Sequence, residues 1–277
     1  MRQASDNEPW GFASATSVPD GGIAVAWAVA IKRDAAQGEP HLRWLPHPIF
    51  PCPAEGLGAG EVAIWLAAVS GGQDDNAGTS EPTALNLERS ATILDAQERE
   101  RLARFRHIDD RCSYLAAHAG TRFILASIVD RSPDALQFRP SQHGKPMLLD
   151  SPMEIDFSLS HARGVVAVTA SRMAVGVDVE PLRDITHLKS MSELVLSEDE
   201  QSVVRQVPKA TRSQLFLRYW TLKEALLKAA ALGFSIAPNA LTVDAGPAPT
   251  VLSVPSELGP AAQWQLSAGV TRLMHRQ

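Results

Sequence analysis

Between Ala174 and Leu182 the chain reads AVGVDVEPL, with valines alternating against Gly176, Asp178 and Glu180. Successive side chains of a strand point to opposite faces. The alternation therefore predicts a strand with Val175, Val177 and Val179 on one face and two carboxylates, about 7 Å apart, on the other. The apolar run Ile23–Ile31 and the segment VAIWLAAV, Val62–Val69, predict further strands. IDFSLSH and GVVAVTA follow the punctuation QHGKP, and the turn SRM makes GVVAVTA and AVGVDVE read as a hairpin. Helical periodicity appears elsewhere. Asp95 and Glu98 have the spacing of a capping box ahead of AQERERLARFR, a second helix runs from about Asp109 to Val129, and Ser197 caps SEDEQSVVRQV. QLFLRYWTLKEALLKAAALG predicts a long helix ending at Gly233, followed by a short, Pro-rich tail with weak strand signals in QWQLSAGVTRLMHRQ.

The remaining residues set the frame. Residues 1–60 mix Gly, Pro and polar residues and read as an N-terminal extension or wrapping arm, and Ser70–Ser80 reads as a loop. With 277 residues, 45% hydrophobic and 21% charged, the chain is long enough for one large domain or two lobes. A net charge of -5 argues against a general nucleic-acid or membrane-surface binder. Cys52 and Cys112 are too few for a disulfide framework, which points to a reducing compartment. No signal peptide or membrane-spanning run is read, so the expectation is a cytoplasmic protein.

Three features carry chemistry. Asp178 and Glu180 on one strand face suit a half-buried strand with a wet outer face. They also admit a magnesium site, since that ion takes oxygen ligands from one or two carboxylates and leaves room for water and phosphates. Gly176 beside them would let a ligand approach the backbone. Trp220, Glu224 and Lys228 stand at i, i+4 and i+8 and share one side of a helix, where Glu224 and Lys228 alone would read as a surface pair. Glu200 alone reads as the third residue of the Ser197 capping box. Ser160 and His161 are adjacent, without the G-x-S-x-G elbow of a hydrolase.

The order and spacing of GKP (144–146), FSLSHA (157–162), GVDVE (176–180), LSEDE (196–200) and WTLKEALLK (220–228) resemble the 4'-phosphopantetheinyl transferases of the surfactin-synthetase type. The resemblance extends from about Glu61 to about Val243. It implies an α+β fold of two similar lobes with pseudo-twofold symmetry, each a small antiparallel sheet packed with helices, with the active site between them. The lobes would be residues 61–175 and 176–277, behind the extension 1–60. It implies transfer of phosphopantetheine from coenzyme A to a serine of an acyl or peptidyl carrier protein, with release of 3',5'-ADP, by a monomer that binds no nucleic acid and no membrane.

Residue by residue, the resemblance implies Mg2+ on Asp178, Glu180 and Glu224. Glu200, or Glu224 through a metal-bound water, would take the proton of the attacking serine. Lys228 would lie near the leaving phosphate with Lys223 beside it. Ser160, His161, Lys145 and Arg101 would meet the 3'-phosphate of coenzyme A, with Arg104, Arg111 and Arg122 behind them. Phosphoryl transfer needs positioning and charge neutralisation more than covalent help, and these residue types supply both. Two rivals use the same groups: a non-catalytic coenzyme A- or carrier-binding module, and a magnesium-dependent nucleotide hydrolase.

Overall fold

In a computed structural model, the structure describes residues 23–45, 56–69 and 87–273. The first part of the chain forms β1 (Ile23–Lys32), β2 (His41–Trp44), β3 (Glu61–Ala68), α1 (Leu87–Thr92), α2 (Ala96–Ala103) and α3 (Ile108–Val129). Short strands β4 (Phe138–Pro140) and β5 (Pro146–Leu148) precede β6 (Asp156–Ala162), β7 (Val165–Ser171) and β8 (Val175–Pro181). Then come α4 (Leu188–Val195), α5 (Glu198–Gln206), α6 (Arg212–Ala230), the pair β9 (Thr242–Asp244) and β10 (Thr250–Ser253), and β11 (Trp264–Leu273).

Two sheets and two long helices make four layers. The N-terminal lobe is built on the sheet β2-β3-β7-β6, antiparallel except for β2 alongside β3. One face of it, with Ala63, Trp65, Val166 and Val168, packs on Ala116, Ala117 and Ile124 of α3. Its other face meets the C-terminal lobe's sheet β11-β1-β8 through Val62, Ile64, Val165 and Ala167 against Val25, Val29, Ile31 and the three valines of β8. The far side of that second sheet carries Ala28 and Ala30 and packs against α6. The alternation read in β8 is thus an alternation between the other lobe and α6.

Two glycines set the layer spacing. A Cβ on Gly176 would run into the Ala225 carbonyl oxygen and the Ala229 nitrogen, so β8 can lie against the α6 backbone only because that residue has no side chain. The approach permitted at Gly176 is therefore that of a helix, not of a ligand. On α3, Gly120 gives the Trp65 ring the same freedom.

Several expectations change. The presumed extension supplies β1, the middle strand of the C-terminal sheet, whose neighbours β8 and β11 both run antiparallel to it. The tail that looked weak supplies the ten-residue β11. The expected hairpin of GVVAVTA with AVGVDVE is not formed: β7 pairs with β6 and β3, while β8 crosses to the other sheet and pairs with β1. The hairpin is β6–β7, closed by Arg163 and Gly164, the latter at φ 79°. Helix α6 stops at Ala230, with Ala231 in the left-handed region as its cap, rather than at Gly233. The Ser70–Ser80 loop and Cys52 lie outside the described residues, and Cys112 is a buried thiol on α3. Helix α3 is long and apolar enough to cross a bilayer, but 83% of its apolar window is buried inside the protein, as befits a core helix.

Candidate active site between the lobes

Strands β6 and β8 lie side by side where the two lobes meet, and side chains join them in place of a backbone ladder. Asp156, Ser158 and Ser160 alternate along β6 and share one face. Asp156 Oδ2 accepts from the Val175 N–H at 2.8 Å, and Ser158 Oγ accepts from the Val177 N–H at 3.2 Å. The third member departs from the pattern, with the Ser160 hydroxyl donating to Asp178 Oδ1 at 2.7 Å.

At that end of the seam β8 and α6 bring three carboxylates together. Asp178 is 5% exposed and accepts a second bond on the same oxygen, from Lys228 Nζ at 2.6 Å. Lys228 also donates to the Val177 carbonyl at 3.2 Å. Burial and the neighbouring charge of Asp178 push the Glu180 carboxyl up to about 7, against the opposing pull of Arg183, Lys228 and a hydrogen bond from the Trp220 indole. Burial and Asp178 raise Glu224 as well. Like charges held out of water disfavour the ionised form, and a nearby cation would favour it. Among the described residues no group of three or more His, Cys, Asp or Glu is placed to hold a metal ion as the side chains stand. Nevertheless Asp178 Oδ2 and Glu224 Oε1 are buried without any hydrogen-bond partner. Unsatisfied carboxylate oxygens beside raised carboxyls are the donor chemistry a hard divalent cation takes, so the residues fit such an ion.

His161 faces the other way on β6, toward α3. The edge of its ring meets Tyr114 at 5.7 Å between centroids, and Tyr114 stacks on His118 at 4.1 Å. His118 Nδ1 is 3.0 Å from Glu98 Oε1, and Glu98 is held by Arg122 and by the α2 capping box. Burial, with the charges of His118, Lys228 and Arg101, lowers His161 to about 4. Arg101 therefore stands close enough to act on both His161 and Tyr114. His118 and Tyr114 were not singled out in the sequence, where they lie within the helix read from about Asp109 to Val129.

The other basic groups have different surroundings. Lys145 sits at the far end of the seam, paired with Asp156 and donating to the Val175 carbonyl at 2.9 Å, with burial lowering its pKa. Arg122 is 1% exposed and bonds Asp95, Glu98 and the carbonyls of Pro133 and Leu136. Arg104 lies on the exposed surface against Glu100, and Arg111 is exposed. A cavity of about 280 Å³ lies beside Lys145, lined also by Lys32, Asp156, Ala230 and Trp264. A smaller one of about 190 Å³ adjoins Glu180, Arg183, Met191 and Trp220. The larger cavity is thus at the end of the seam away from the carboxylates, and the unpaired oxygens locate the chemistry better than size does.

Glu200 and Lys223 face away from this cluster. Glu200 Oε2 accepts from the Ser197 N–H at 2.8 Å and from Lys223 at 2.5 Å, and Oε1 accepts from the Val243 N–H at 2.8 Å. Lys223, 0% exposed, also donates to the carbonyls of Val195, Leu241 and Pro238 at 2.9, 2.8 and 3.1 Å. Burial lowers its pKa against the opposing pull of Glu200. Both oxygens of Glu200 and all protons of Lys223 are spoken for by α4, α5 and the segment around β9. In this geometry the pair ties the lobe together and is not turned toward a substrate.

Residues 174–272 match the model of the 4'-phosphopantetheinyl transferase superfamily, and residues 79–173 match that of the 4'-phosphopantetheinyl transferase N-terminal region. The 4'-phosphopantetheinyl transferase HetI of a Nostoc species is 30% identical over 196 residues, covering 69% of this chain and 76% of that protein. The phosphopantetheinyl transferase of a Thraustochytrium species is 29% identical over 198 residues, 66% of each chain. The 4'-phosphopantetheinyl transferase Sfp of Bacillus subtilis is 23% identical over 156 residues, 56% of this chain and 68% of that protein.

Proposed function

Because the chain belongs to the 4'-phosphopantetheinyl transferase superfamily, we propose that its interlobe cleft moves phosphopantetheine from coenzyme A to a carrier-protein serine, with magnesium required and 3',5'-ADP released. The observation that supports this most is the trio Asp178, Glu180 and Glu224 with two buried, unpartnered oxygens. In the reaction the serine oxygen forms a bond to the phosphorus bearing the pantetheine arm. The bond from that phosphorus to 3',5'-ADP breaks, and the serine proton leaves to a base. Asp178, Glu180 and Glu224 would hold the magnesium, whose charge would neutralise the pyrophosphate.

The chain's own groups do the rest. Lys228, already at the carboxylates, neutralises charge that develops toward the leaving 3',5'-ADP. His161 and Arg101 offer the basic pocket for the 3'-phosphate. Glu200, whose oxygens are both bonded, is less suited to take the serine proton than Glu224, which keeps an oxygen without a hydrogen-bond partner. The test is incubation with coenzyme A, Mg2+ and an apo-carrier panel, read by mass of the carrier and by 3',5'-ADP. Release of 3',5'-ADP only with apo-carrier present supports the reading. Release without carrier makes the protein a hydrolase, and coenzyme A binding without release makes it a binding module.

A further inference from the structure

The two donors on Asp178 both bond the same oxygen. Ser160 Oγ–H and Lys228 Nζ converge on Oδ1 at 2.7 and 2.6 Å, and Oδ2 is left buried with no partner. A carboxylate held by a single donor can turn about its last torsion and present either oxygen. Two donors on one oxygen, one from β6 and one from α6, fix which oxygen remains open. Ser160 has one proton to give, it gives that proton to Asp178, and the residue is only 7% exposed. While that bond stands the hydroxyl cannot also donate to a phosphate.

We propose that Ser160 is a positioning residue for the metal carboxylate: a hydroxyl from the N-terminal lobe that locks Asp178 with Oδ2 facing the cation, and not a ligand of the coenzyme A 3'-phosphate. The adjacent residues of β6 then have separate tasks, since their side chains leave opposite faces of the strand. Ser160 serves the carboxylates through β8, and His161 serves the side toward α3. Aspartates that ligate metals depend on such partners, and losing one typically weakens metal binding about 10- to 100-fold. Because Ser160 belongs to one lobe and Asp178 to the other, the open oxygen is set correctly only when the β6–β8 seam is closed.

This inference rests on the magnesium reading above, and its test separates the two. Mg2+ is titrated calorimetrically into the full chain saturated with coenzyme A, with no carrier present, so that binding is read without turnover. The Ser160→Ala variant is expected to bind Mg2+ about 10-fold or more weakly than wild type, while its preference for coenzyme A over dephospho-coenzyme A is unchanged. Ser160→Thr, which keeps the hydroxyl, is expected to recover most of the affinity. Thermal melting accompanies each variant. If Ser160→Ala unfolds early, Ser160→Cys, close in volume but a weak donor, carries the same comparison. Unchanged Mg2+ affinity in a folded variant overturns the proposal, as does a collapse of the coenzyme A preference at unchanged Mg2+ affinity. Absence of Mg2+ binding in wild type overturns both this inference and the magnesium reading, while carrier-dependent transfer would remain to be judged by its own assay.

Discussion

Lys228 Nζ lies 2.6 Å from Asp178 Oδ1, reaching from α6 across to β8. The lysine is therefore the counter-charge of the carboxylate group rather than a surface charge along its own helix. Replacing it with methionine is expected to slow single-turnover transfer by about 10²–10³, the usual cost of one preorganised electrostatic group. The same variant should melt below wild type in metal-free buffer, since three crowded carboxylates lose their nearest cation. Rates near wild type in Lys228→Met would remove it from the reaction.

Glu180 gives a pH signature. Its carboxyl is raised to about 7 by burial and by Asp178, so between about 4.5 and 7 the folded state holds a proton that the unfolded state has lost. Stability from this group therefore falls as pH rises through that window. Glu180→Gln cannot ionise and escapes the fall. In metal-free buffer the melting temperature of Glu180→Gln relative to wild type should rise from pH 5 to pH 8. Added Mg2+ should reverse the order at pH 8 by stabilising wild type alone. A pH-independent difference would show that Glu180 does not titrate there.

For His161 the expected observation is proton uptake. The free protein keeps its imidazole neutral at pH 7, with burial the largest cause of a pKa near 4, and a phosphate dianion beside it would draw a proton on. Coenzyme A binding, measured by calorimetry in two buffers of different ionisation enthalpy near pH 6, should take up a fraction of a proton that dephospho-coenzyme A does not. Equal proton counts for the two ligands would place the 3'-phosphate elsewhere.

The buried pair of Glu200 and Lys223 predicts loss of stability before loss of chemistry. Removing one partner leaves a bare buried charge, so Glu200→Ala or Lys223→Met should cost about 3–5 kcal/mol of unfolding free energy. Replacing both by apolar residues of similar volume should recover much of it. Urea unfolding checks the first statement. The rate per folded molecule of the double variant checks whether Glu200 has any part in proton transfer, with a rate near wild type expected.

At Gly176 a methyl group is expected to be expensive. It would meet backbone atoms of Ala225 and Ala229, which cannot swing aside as a side chain would. Overpacking of this kind usually costs about 1–3 kcal/mol, and sometimes more. Gly176→Ala should also lower transfer, because α6 pushed off β8 carries Glu224 and Lys228 away from Asp178. A variant with unchanged melting and rate would show that α6 and β8 are less closely packed than described.

Local pattern carried much of this fold. Valine alternation marked β8, and both capping boxes, Asp95 with Glu98 and Ser197 with Glu200, form as their spacing implied. For Glu200 that capping bond is one of three that hold it, and the other two come from Val243 and Lys223, groups far along the chain that no spacing rule brings to it. Pairing partners were illegible for the same reason. The run Ile23–Ile31 announced a strand, but only tertiary packing sets Val25 opposite Pro181 and Ile23 opposite Leu273. Asp178 and Glu180 were legible as a same-face pair from the strand period, whereas Glu224 joined them only through the family resemblance. The assembly of Glu98, His118, Tyr114 and His161 was not legible, because it spans two helices and a strand.

The middle position of β1 also bears on how the molecule is made. During synthesis β1 leaves the ribosome before either strand that will flank it. At about 5–20 residues per second, the wait for β11 lasts on the order of tens of seconds, with both edges of an apolar strand open until β8 emerges and one edge open after it. Sheets assembled from such distant segments fold slowly and are vulnerable while incomplete. A nascent chain stalled after β8 can pair one edge of β1, and the other stays open until the last strand emerges. A stop codon just ahead of Trp264 would therefore keep every candidate catalytic group in the chain and still leave a polypeptide prone to self-association, with insoluble expression as its visible sign.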